Sequence, residues 1–143
     1  MQPTRILPDL QCSLLCEEVR QEANGNFFIV GVIDAVRVPQ VPITAFKLSV
    51  FNRWTAGIGQ FTESVRLIGP DQTTVLRKSE VKFAMKDPGI NATTVTLFGN
   101  VEFATAGAYF VEVSVDDVLK LRFPVNVMVV QPPGGVAPTA GTK

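Results

Sequence analysis

The 143-residue sequence predicts an all-β chain, an antiparallel two-sheet sandwich of about eight strands. Three observations carry that expectation. Apolar residues recur at every second position in segment after segment, the period of a strand with one buried face. Turn-forming clusters such as Asn24-Gly25 and Gly69-Pro70-Asp71-Gln72 divide those segments roughly every 8–12 residues. No stretch sustains the 3.6-residue period of an amphipathic helix.

The first strand starts at Leu10, where Leu10, Cys12, Leu14 and Cys16 alternate with Gln11, Ser13, Leu15 and Glu17. Asn24-Gly25 suits a type I′ turn and closes a long hairpin into Phe27 to Ile33. That second strand is apolar on both faces, so a central position, covered on both sides, is expected for it. Pro39 and Pro42 remove ladder donors and make Asp34 to Pro42 a crossover loop.

In Ile43 to Trp54, Phe46, Leu48 and Val50 share a face opposite Lys47, Ser49 and Phe51. Gly57-Ile58-Gly59 turns the chain into Gln60 to Ile68, where Phe61, Val65 and Leu67 are in phase and Glu63 interrupts them, suggesting an edge or a strand end. Thr74 to Met85 carries Val81, Phe83 and Met85 on one face, with a polar first half that reads as edge. Thr94 to Phe103 points Val95, Leu97, Val101 and Phe103 inward, and Tyr109, Val111, Val113 and Val115 form the clearest alternation of all. Asp116-Asp117 turns the chain into a last strand with Leu119, Leu121, Phe123, Val125 and Val127, where Pro124 implies a partly uncovered edge. The sandwich then spans 1–130, and 131–143, rich in Pro, Gly, Ala and Thr, reads as a disordered tail. A closed eight-stranded barrel shares this periodicity; the polar, Pro-interrupted edges favour the sandwich.

Composition removes several function classes. Apolar residues make up 46% and charged residues 18%, which suits a folding domain rather than a disordered chain. Thirteen basic residues balance thirteen acidic ones, with no basic run, so neither nucleic acid nor a membrane is expected as a partner. Met1 to Leu10 lacks an apolar signal region and the longest apolar run is Phe27 to Ile33, so the expected compartment is the cytoplasm.

Two segments resemble a known family. Cys16-Glu17-Glu18-Val19-Arg20-Gln21-Glu22 with Asn24-Gly25-Asn26-Phe27-Phe28-Ile29-Val30-Gly31-Val32 resembles the opening of an uncharacterised bacterial family known only as a domain of unknown function. Gly107 to Val113, and Asp117 onward to Val125, resemble its closing hairpin and those of bacterial immunoglobulin-like modules. The resemblance implies an immunoglobulin-like sandwich and brings no activity with it. No Cys pair with an intervening Trp is present, so an antibody-type core is not implied. Tyr109 stands where such modules often keep a corner tyrosine, and either a corner hydrogen bond or simple packing would account for it.

Catalytic chemistry finds little material. Histidine is absent, which removes Ser-His, Cys-His and His-metal arrangements within the chain. Cys12 and Cys16, four apart in one strand, sit about 13 Å from each other, too far for a disulfide, and buried structural thiols are expected. Glu17 and Glu18 point to opposite faces, while Asp116-Asp117 is turn material. Asp34, Asp71, Asp87, Asp116 and Asp117 all fall at strand ends, where calcium is a minor alternative to solvated turns. Gly57-x-Gly59 lacks the third glycine and helix of a phosphate cradle, and Asn91-Ala92-Thr93 is a glycosylation pattern without context. Trp54 and Phe51 are the candidate aromatic contacts for a partner or sugar, against the alternative that both cap the sandwich end.

The expectation is a chain with no catalytic, cofactor or metal residues. It reads as a non-enzymatic binding or structural module that self-associates or binds a protein, within a larger bacterial or phage assembly. The alternative is a small-molecule, carbohydrate or calcium-binding sandwich using its loops.

Overall fold

The period-two segments form strands in the computed structural model, which describes residues 5–131. The tail expected over 131–143 lies, apart from Gln131, outside the described residues. The strands are β1 (Asp9–Gln21), β2 (Phe27–Val32), β3 (Ala35–Val38), β4 (Ile43–Thr55), β5 (Gly59–Ile68), β6 (Val75–Met85), β7 (Ala92–Phe103), β8 (Gly107–Val115) and β9 (Val118–Val129). They make a four-stranded sheet in the order β2-β1-β4-β7 and a five-stranded sheet in the order β3-β9-β8-β5-β6. Among the described residues no helix is long and apolar enough to cross a membrane.

The strand beyond the expected eight is β3, which lies within the Pro-containing segment read as loop. It runs parallel to β9, pairing Ala35 with Asn126 and Val38 with Val129, so the five-stranded sheet is mixed rather than antiparallel throughout. Val36 packs on the core and Val38 is buried in it. Four residues between turn signals are too few to show a period.

Turn chemistry decides the hairpins. The Asn24-Gly25 turn is not type I′, because only Gly25 takes positive φ, at 93°. Gly25 N–H donates to Glu22 O at 2.9 Å and Glu22 N–H to Asn26 O at 2.7 Å, a three-residue loop ending in a left-handed glycine. The turn with both central residues at positive φ is Asp116-Asp117, at 47° and 66°. The Asp116 carboxylate steadies it by accepting Thr62 N–H at 2.9 Å.

Three expected faces change at irregular rungs. A register shift between Leu10 and Cys12 reverses the phase of β1. Leu15 therefore enters the core opposite Val50, and Cys12, Leu14 and Cys16 lie on the outer face. In β7 the phase changes at Gly99 and Asn100, whose φ is 53°. Val101 and Phe103 are buried as expected, but before that point Thr94 and Thr96 face inward while Val95 and Leu97 are exposed. Phe46, on β4 beside that rung, is 82% exposed instead of sharing the buried face of Leu48 and Val50.

Between the sheets, Leu15, Leu48, Val50, Trp54, Phe98, Val101 and Phe103 meet Phe61, Val65, Leu67, Tyr109, Val111, Val113, Val115, Val125 and Val127. Full burial of each such aliphatic side chain contributes ~1.5–3 kcal/mol, so this layer is the principal driving force of the fold. Edge strand β6 is as polar as expected. Strand β9 is interior in its sheet, and Pro124 lies two positions before its ladder to β3 begins at Asn126, where the lack of a partner on that side tolerates proline.

Candidate functional site

Two features stand out from the sandwich: a polar row inside the core, and an apolar edge outside it. The inner row begins with register. Ser13 on β1, Asn52 on β4 and Thr94 on β7 are paired side by side across the four-stranded sheet. Glu63 reaches them from β5 of the other sheet and is fully buried. Its Oε1 accepts from Trp54 Nε1–H at 2.7 Å, Asn52 Nδ2–H at 3.2 Å and the Thr94 hydroxyl. Glu63 thus marks neither an edge nor a strand end, as its place in the sequence had suggested. It lies on an interior strand because three donors compensate its burial. Ser13 Oγ, Asn52 Oδ1, Glu63 Oε2 and Thr96 Oγ1 are buried beside them without protein partners. The side chains of Asn52, Trp54 and Glu63 are fully enclosed between the sheets.

The edge is built by the β1–β2 hairpin. Strand β2 is an outer strand of the four-stranded sheet, not a central one, and Phe27, Phe28, Val30 and Val32 are all exposed. Alternation on two apolar faces reports hydrophobicity, not cover, which is why the pattern pointed to a covered position. The hairpin also curls. Gly31 takes φ 70° within β2, and a Cβ there would meet the Glu17 side chain at 2.7 Å. Phe27 pairs with Gln21, seven residues along β1 from Leu14, the partner of Phe51. A straight strand would separate those positions by about 23 Å. The Phe27 and Phe51 rings nevertheless meet edge-on with centroids 5.9 Å apart, so the hairpin tip returns over the outer face of its own sheet.

That outer face is largely apolar. Across it run the rungs Val32–Cys16–Ser49–Leu97 and Leu14–Phe51–Val95. The outer face of the five-stranded sheet carries one charged rung, Lys78, Arg66, Glu112 and Arg122, with Glu112 held between both arginines, beside exposed Leu119 and Met128.

The other residues singled out in the sequence have defined surroundings. Trp54 is fully buried against Glu63 and stacks near Phe83, and Phe51 lies under the hairpin, so neither offers an exposed platform. Cys12 and Cys16 are free thiols. Burial pushes the Cys16 thiol up, the Glu17 charge adds to that, and its Sγ lies 3.6 Å from Ser49 O. Glu17 lies against Gly31, whereas Glu18 pairs with Arg20 and Lys47, which hold its carboxyl below the usual range. Asp71 accepts from the Thr74 hydroxyl and from Thr74 N–H and Thr73 N–H, which lower it to about 2. Asp87 accepts Gly89 N–H at 2.8 Å. Among the described residues no three His, Cys, Asp or Glu side chains converge as metal ligands. Asn91, with its amide turned to bond Thr55 and Arg53, ties down the start of β7. Tyr109 makes the corner bond: its hydroxyl donates to Thr105 O at 2.7 Å while its ring packs edge-on against Phe103.

Glu63, Asn52, Thr94 and Thr96 were missed as a group in the sequence. Their signal is polarity in phase with a buried face: Asn52 falls in step with Val50 and Trp54, and Glu63 with Phe61 and Val65.

A search of the curated proteins finds no match. Residues 11–128 match a family described as a family of unknown function, DUF6941, and the chain belongs to it.

Proposed function

We propose that this family member is a non-catalytic protein-interaction module that docks through the β1–β2 hairpin edge. The observation that carries the reading is the exposed, charge-free outer edge of β2. Phe27, Phe28, Val30 and Val32 leave on the order of 300 Å² of apolar residues open along β2, within the size at which a patch on a monomer is often functional. The outer face of the five-stranded sheet presents the Lys78–Arg66–Glu112–Arg122 rung to water. Among the described residues the outer edge of β2 has no partner strand, and no charge stands from Asn26 to Ile33, which suits pairing with a partner.

We infer a finer layout as well. Taken as strands A, B, C, C′, E, F and G, β1, β4, β5, β6, β7, β8 and β9 follow immunoglobulin order, A-B-E in one sheet and C′-C-F-G in the other. The Tyr109 corner at the start of β8 agrees with that assignment, and β2 and β3 are additions to it. Two unpaired thiols suit a reducing cytoplasm.

The test is site-specific photo-crosslinking in the source cell, with the reactive group at Val30 or, as control, at Ser64 on the charged face. Adducts at Val30 alone, competed away by excess unmodified chain, are expected. Equal adducts at both positions, or none at Val30, would overturn the reading.

A further inference from the structure

The geometry points to a second copy of this chain as the partner of β2, the two strands pairing antiparallel about a two-fold axis at Ile29. This rests on the docking role proposed above and names its occupant.

The argument is self-complementarity. In an antiparallel pair related by such an axis, residues opposite each other share a face, so the axis must fall on a residue and not between two. With the axis at Ile29, Phe28 stands opposite Val30 of the second copy, an aromatic against a β-branched side chain, which is a favourable cross-strand pair. Phe27 stands opposite Gly31 of the second copy. Gly31 is the one residue of β2 without a side chain, and a cross-strand aromatic covers such a gap at a sheet edge. Both large residues therefore lie on one side of Ile29 and the smaller ones on the other, so each strand is shaped to receive its own reverse.

Charge agrees. Asn26 to Ile33 holds no ionisable residue, so copy-on-copy pairing sets no like charges opposite each other, and a formal net charge of zero leaves no general repulsion between two chains. Area agrees as well. A specific dimer buries about 800 Å² on each partner, somewhat more than half of it apolar. The open apolar residues of β2 supply on the order of 300 Å², roughly two-thirds of that apolar share, and Glu18, Arg20 and Lys47 stand beside them as a polar rim.

The experiment uses the purified full chain. Residue 29 faces its own copy with Cα atoms about 5 Å apart, within the span of a disulfide, whereas residue 26 lies about 20 Å from its copy. Under mild oxidation Ile29→Cys is expected to form a covalent dimer and Asn26→Cys to stay at the wild-type baseline. In sedimentation equilibrium, Ile29→Lys weakens the dimer roughly tenfold or more, and mixing it with Ile29→Glu restores association, a rescue that misfolding would not give. A dimer in which Ile29→Cys and Asn26→Cys crosslink alike, or in which the Lys and Glu variants fail to rescue each other, overturns the two-fold at Ile29. A chain that is monomeric and uncrosslinked overturns self-pairing altogether; Val30 adducts to other proteins in the cell would then leave the docking role standing, and their absence would remove both.

Discussion

Replacing Glu63 by Ala tests whether the inner polar row holds the two sheets together. The substitution removes the acceptor of Trp54 Nε1–H, Asn52 Nδ2–H and the Thr94 hydroxyl in a site with no water-exposed atoms on Glu63. Each buried donor left without a partner costs ~1–3 kcal/mol, and the vacated methylenes and carboxyl add a cavity cost. Asn52 and Thr94 are neighbours on one rung and relax toward each other, so the sum is not fully realised. The expected loss is about 3–5 kcal/mol. Against a typical domain stability of ~5–15 kcal/mol that approaches unfolding. Glu63→Gln, which keeps the acceptor oxygen and the shape, is the companion variant and should lose less than half as much. Urea denaturation followed by circular dichroism measures both. The single tryptophan adds a local probe, its emission moving to longer wavelength if Trp54 loses its partner and meets water. A double-mutant cycle with Trp54→Phe isolates the bond itself, with a coupling of about 1 kcal/mol or more expected. A Glu63→Ala loss under about 1 kcal/mol, or a strictly additive cycle, would refute the reasoning.

Tyr109→Phe removes the hydroxyl donated to Thr105 O while keeping the ring on Phe103, and should cost ~0.5–1.5 kcal/mol by the same assay; no change would reduce the corner to packing. Asp71 is depressed from 3.8 to about 2, so its contribution is complete above 3.8 and is lost as pH falls through about 2. Carboxyl chemical shifts should place its titration at the low end of that window, and a midpoint at or above 3.8 would dismiss the turn bonds as its cause. Iodoacetamide should alkylate half-exposed Cys12 well before Cys16, which is buried and whose thiol is pushed up by that burial. Equal rates would mean that the curled hairpin does not cover the sheet.

Period-two alternation was sufficient to locate every long strand, because a strand with one buried face writes its geometry directly into residue order. Tyr109 to Val115 shows this best, with all four alternate residues buried. Phase was harder. A single extra residue reverses the face of everything after it; the shift at Leu10 to Cys12 leaves no compositional mark, and Gly99-Asn100 marks an irregular rung without saying which side of it keeps the expected face. Thr94 and Thr96 compounded the difficulty, since two threonines facing inward look like a solvent face until Glu63 is known to lie opposite. Exposure was illegible for the opposite reason. Phe27 to Val32 has the composition of a buried strand, and only the sheet order reveals that it lies at an outer edge.

Strand β9 has a consequence for the order of assembly. It pairs with β8 along most of its length and with β3 at its end, joining residues about 90 positions apart in the chain. The β1–β2 and β8–β9 hairpins close locally, but the five-stranded sheet cannot be completed until its last strand meets one of its first. Such distant pairing is slow, on the ms–s scale typical of sandwiches, because loop closure comes before the contacts that reward it. During synthesis Val125 and Val127 arrive after nearly all of their neighbours, so the sandwich stays open, and vulnerable, until they do. A chain ending at Asp117 should therefore remain protease-sensitive throughout, and protection of its β4 and β7 segments would show that the four-stranded sheet forms alone.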